Sequence, residues 1–162
     1  MIRFVLALLV FCFTQNSLLH RFEDYPVTEV FGGAPAKPDF ASNPKTKLFR
    51  SHIIEGASKE PNFAGHYRIV WWGCGSNCQT FVIVDSKSGR IFGYFGSSNG
   101  MMYRKNSRLI IVNPITPERM EDWKEGGVPD WGITTYYLWK GKNLAELDTS
   151  TAVLNLPDEI QW

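Results

Sequence analysis

The chain lacks most of the features by which a sequence declares its chemistry. Its 17 basic and 16 acidic side chains nearly cancel, so it carries no basic footprint for nucleic acid. Its histidines are His20, His52 and His66, none paired at ligand spacing, so neither a metal site nor any other cofactor is expected. A Cys-x-x-Cys pair and a P-loop are both missing, which removes the common local signatures of dithiol and nucleotide chemistry. The one long apolar run, residues 4–13, is too short to cross a bilayer as a helix.

That run is instead the core of an export signal. Arg3 precedes it and Thr14-Gln15-Asn16-Ser17 follows, so residues 1–17 read as a signal peptide cleaved near residues 14–17, and the mature protein as periplasmic or secreted with no stable membrane span. The bulky Val10-Phe11 before Cys12 fits lipidation poorly. Removing the leader takes away Arg3 and Cys12, which balances the charges and leaves Cys74 and Cys78 as the remaining thiols. A close pair in an oxidising compartment reads as a disulfide.

Three stretches follow the leader. Residues 18–43 are rich in Pro and Gly and read as an extended arm, whose apolar Tyr25, Val27, Val30 and Phe31 pack along the rest and offer a short edge strand at residues 25–31. Asn43-Pro44 is a helix start, with Asn as N-cap and Pro at the first position. A helix over residues 45–57 would place Phe49, Ile53 and Ala57 on one face with Leu48 and His52 beside them. Beyond residue 64 the period changes to two, and residues 64–72, 79–85, 90–95, 108–113, 132–140 and 144–148 read as strands.

These patterns predict one α+β domain over residues 44–162: an antiparallel sheet of about five to seven strands, the N-terminal helix packed on one face, and a small disulfide-closed loop between two strands. In the first strand Tyr67, Ile69 and Trp71 share the expected core face, and His66, Arg68, Val70 and Trp72 the partly solvated one. Asp85-Ser86-Lys87-Ser88-Gly89 reads as a hairpin turn. The 14% aromatic content with six Trp is assigned mainly to the core. Residues 114–130 form a polar insertion with one helical turn near residues 118–124.

The leading candidate site is Gly73-Cys74-Gly75-Ser76-Asn77-Cys78-Gln79. Its ring is so small that chain entropy assigns the disulfide only about 2 kcal/mol, so stability alone is a weak reason for it. The glycines permit unusual backbone angles, and Gly75, Ser76, Asn77 and Gln79 become the expected binding residues of a preorganised loop. A dithiol role fits poorly, because the pair has three intervening residues and lies between strands rather than at a helix start. His66 is the alternative catalytic candidate, with Ser76, Ser97 or Ser98 as the hydroxyl. Phe95-Gly96-Ser97-Ser98-Asn99-Gly100 could cradle an anion, or be a plain connection.

Three phrases carry a resemblance: Asn62-Phe63-Ala64-Gly65-His66-Tyr67, then Trp72-Gly73-Cys74-Gly75-Ser76-Asn77-Cys78-Gln79, then Val84-Asp85 with Ser88-Gly89. Over roughly residues 44–112 the chain resembles a family of small exported bacterial proteins without an assigned activity. More loosely, the order of helix, strand, disulfide loop and hairpin is similar to the inhibitor of vertebrate lysozyme. That family inserts a histidine between its cysteines into the lysozyme cleft, whereas this chain has Gly75-Ser76-Asn77 there. The resemblance implies export, a periplasmic or extracellular protein partner, and inhibition of or immunity to a wall-active enzyme other than lysozyme itself. A hydrolase using His66 and a structural envelope protein are the competing readings.

Overall fold

The computed structural model describes residues 19–154; the expected signal peptide, residues 1–17, lies outside them. The arm leads into a 3₁₀ turn, Pro44–Phe49, that runs on into helix α1, Arg50–Ala57. Seven strands follow: β1 Tyr67–Gly75, β2 Cys78–Asp85, β3 Ile91–Ser97, β4 Met101–Tyr103, β5 Leu109–Val112, β6 Thr134–Trp139 and β7 Leu144–Ser150. A second short helix, α2, Pro117–Asp122, lies in the expected polar insertion, capped by the Thr116 hydroxyl accepting from the Arg119 N–H at 3.3 Å.

The α+β class, the antiparallel pairing and the strand number agree with the sequence reading, but the strands form two sheets instead of one. β1-β2-β3 make a three-stranded sheet and β4-β5-β6-β7 a four-stranded one, every pair antiparallel. The two meet through Ile69, Phe81 and Ile83 of the first and Met101, Ile110, Val112 and Trp139 of the second. A second layer joins Ile53 and Ala57 of α1 and Phe40 of the arm to Val70, Trp72, Val82, Val84 and Ile91. On the far side Phe22 and Leu154 cover Met102, Leu109, Ile111 and Tyr136.

α1 therefore packs on the Val70 and Trp72 face of β1, the one expected to be partly solvated. Covering on both faces explains why β2 and β5 read as continuous apolar runs. Two positions depart from the pattern: Leu48 is 88% exposed, and Trp71, in line with Ile69, is 44% exposed. Asn43 does not cap the helix; its carboxamide donates to the Gly93 carbonyl at 2.7 Å and ties the turn to β3.

The arm packs along both sheets without forming a strand of its own. Apart from the single bridges Pro26 to Ser107 and Asp39 to Arg90, it is held by the Val27 N–H on Asn106, the Phe31 N–H on Gly65, the Ala36 N–H on Ser86 and the Asp39 N–H on Gly89, all between 2.8 and 3.1 Å. Val30, expected to be inward, is exposed.

Candidate functional site

β1 and β2 stay paired almost to the tip, where Gly75 opposes Cys78 and Ser76-Asn77 makes the turn. Between Gly73 and Gly75 the register slips by one, so Cys74 is the extra residue of a β-bulge. Cys74 and Cys78 are joined by a disulfide with their Cα atoms 5.1 Å apart. The Thr80 hydroxyl donates to Cys74 Sγ at 3.3 Å, and the Ser97 hydroxyl to Gln79 Oε1 at 3.4 Å.

Residues 73–78 are all exposed. The side chains of Ser76 and Asn77 make no hydrogen bond with any described residue, while the backbone holding them is bent by Gly75 at φ 135° and Asn77 at φ 50°. Gly73 differs: its φ is unexceptional and nothing lies within 4 Å of where a Cβ would stand. The fold itself makes no demand for glycine there.

Two features flank the tip. On the Gly73 side, Trp71 and Gln79 join Ser98, Asn99, Gly100, Met101 and Arg119 around a pocket of about 270 Å³; the Asn99 carboxamide has no hydrogen-bond partner among the described residues. On the other side Trp72 stacks on Phe49 at 4.8 Å and on His52 at 5.9 Å, with the half-exposed Tyr94 edge-on at 6.2 Å.

The anion-cradle reading of residues 95–100 does not hold. Phe95, Gly96 and Ser97 lie within β3. The Ser98 and Asn99 N–H groups already donate to Asn113 Oδ1, at 2.7 and 3.1 Å.

His66 stands just before the opposite end of β1. Ten residues of extended chain put it on the order of 30 Å from Ser76, and Ser97 and Ser98 also lie at the hairpin end. The structure therefore does not bring His66 together with any of the three hydroxyls. Its ring lies against Tyr67, centroids 4.1 Å apart, with Nε2 3.9 Å from Asp85 Oδ1. Burial holds the imidazole below its ordinary pKa, and the nearby Asp85 only partly offsets this. Asp85 is itself engaged, accepting from the Lys87 N–H at 2.8 Å and the Ser88 hydroxyl at 2.7 Å.

The phrase around His66 forms a structural corner. Phe63 is fully buried. Ala64 and Gly65 adopt φ 42° and 82°, and a Cβ on Gly65 would collide with the Glu29 carbonyl. Their N–H groups donate to Ser107 at 3.2 Å and Lys105 at 2.7 Å. Gly89, at φ 79°, stands equally close to the Lys37 carbonyl.

Beside this corner is a groove of about 510 Å³ that the sequence reading missed, lined by residues 26–29, 64, 66, 67, 87, 108 and 139–141. No local signal marks it, because its walls come from five separate stretches. No group of three or more His, Cys, Asp or Glu able to hold a metal occurs among the described residues. Nor is any helix there long and apolar enough to cross a membrane.

Comparison with protein-family models, with curated proteins and with solved structures found no match.

Proposed function

We propose that this chain is an exported, non-enzymatic binding protein that inhibits a wall-active enzyme in the periplasm or outside the cell, inserting the disulfide-closed hairpin of residues 73–79. One observation carries the reading: residues 73–78 form an uninterrupted exposed tip, closed by a disulfide, on two strands buried on both faces a few residues below. Such a tip loses little conformational entropy on docking. The open surface at Gly73 lets a partner's atoms approach the backbone. The 270 Å³ pocket beside Trp71 offers a recess for a partner side chain next to the tip.

The test is inhibition of cell-wall lysis. A panel of purified muramidases, transglycosylases and amidases is assayed by clearing of peptidoglycan suspensions, with the native protein and with Ser76→Arg/Asn77→Arg. At least one enzyme should be inhibited by the native protein and released by the double variant. Inhibition that survives the double substitution, or no inhibition across the panel, overturns the reading.

A further inference from the structure

We propose that the groove beside His66 is a second binding site, for a small organic anion bearing carboxylate or phosphate groups. It lies at the far end of β1 from the hairpin and is independent of the function proposed above.

The charge distribution supports this. The chain as a whole is balanced, yet Lys87, Arg108 and Lys140 line this groove against a single lining carboxylate, Glu29. Glu29 is taken by Lys87 at 3.2 Å, and neither Arg108 nor Lys140 has an ion-pair partner among the described residues. Arg108 and Lys140 thus present unpaired cations along one concavity, a field that favours a bound anion. The three cations come from different elements: the turn after β2, the residue before β5 and the residue after β6.

The groove is also preformed. The Arg108 N–H donates to the Tyr25 carbonyl and the Trp139 N–H to the Arg108 carbonyl, both at 2.9 Å. The Tyr67 hydroxyl reaches the Gly141 carbonyl at 3.4 Å. Val27, Ala64 and Tyr67 supply apolar surface for a carbon skeleton, and about 510 Å³ lies within the range of small-molecule sites. His66, kept neutral by burial at neutral pH, can donate one ring N–H without adding charge.

The test titrates the full-length mature protein, isotope-labelled, with citrate, glucuronate, inorganic phosphate and uncharged glucose, following backbone NMR signals. At least one anion should shift signals of His66, Arg108, Lys140 and Gly141, and glucose should not. The arms separate a carboxylate source from a phosphate source. Arg108→Gln/Lys140→Gln should weaken binding about tenfold or more with an unchanged unfolding midpoint, since neither side chain holds the fold. The Ser76→Arg/Asn77→Arg variant should bind the anion normally, which separates this site from the hairpin. No shifts at millimolar anion, equal shifts with glucose, or undiminished binding by the Gln variant would each overturn the proposal.

Discussion

Asn62 and Ile69 are joined by two reciprocal hydrogen bonds: the Ile69 N–H donates to Asn62 Oδ1 at 2.8 Å, and Asn62 Nδ2 donates to the Ile69 carbonyl at 3.2 Å. Among the strands β1 pairs with β2 alone and is an edge strand, so Ile69 turns both backbone groups outward. The Asn62 carboxamide supplies what a neighbouring strand would. Asn62→Ala removes both bonds and should cost about 2 kcal/mol. Asn62→Asp keeps the acceptor but sets a carboxylate oxygen against the Ile69 carbonyl, so it should lose stability as well. Urea unfolding of the two variants checks this; an unchanged midpoint for Asn62→Ala would show that water replaces the carboxamide.

The glycines divide into those the fold requires and those it does not. Gly65→Ala and Gly89→Ala must hold φ near +80° and push a methyl into an arm carbonyl; each should lose more than about 1 kcal/mol. Gly73→Ala meets open space at an ordinary φ and should stay within about 0.5 kcal/mol. Thermal unfolding distinguishes them, and a Gly73→Ala loss as large as that of Gly65→Ala would contradict the open environment.

Period-two alternation located the strands but could not say how many layers cover them. In β1, Ile69 on one face and Val70 and Trp72 on the other are equally apolar and all buried. The polar His66 and Arg68 pointed to a solvated face because they lie at one end of it, where Arg68 borders the C-terminal end of α1 and donates to the Glu60 carbonyl. Trp71 failed in the opposite sense: its hydrophobicity fits a core, yet it sits where the second sheet no longer covers the first. β4, with three residues, is too short for a periodic signal. The hairpin was legible because its residues are contiguous, whereas the groove assembles Glu29, His66, Lys87, Arg108 and Lys140 by tertiary packing alone.

The disulfide should matter more to the tip than to the fold. Cys74→Ser/Cys78→Ser opens a ring so small that the loss should be about 2 kcal/mol, leaving the buried pairing of β1 and β2 below it intact. Near-ultraviolet circular dichroism should be preserved and amide exchange should rise chiefly at residues 73–79. Collapse of the global fold in the variant would show that the bridge organises the sheet as well as the hairpin.

His66 should make stability fall on mild acidification. Burial lowers its folded pKa below the ordinary 6.5, with Asp85 and Glu29 acting to raise it and Lys87 to lower it further; Arg108 and Lys140 line the same groove. The unfolded chain then binds the proton more readily than the folded one, so stability rises with pH through this window. The contribution is complete above the unfolded value and is lost as pH falls from about 6.5 towards the lower folded value. His66→Gln removes this titration while leaving every carboxylate in place. Urea midpoints measured from about pH 8 to about pH 5 should therefore fall more steeply for the native protein than for the variant. Parallel slopes would mean that Asp85 offsets the burial of the imidazole completely.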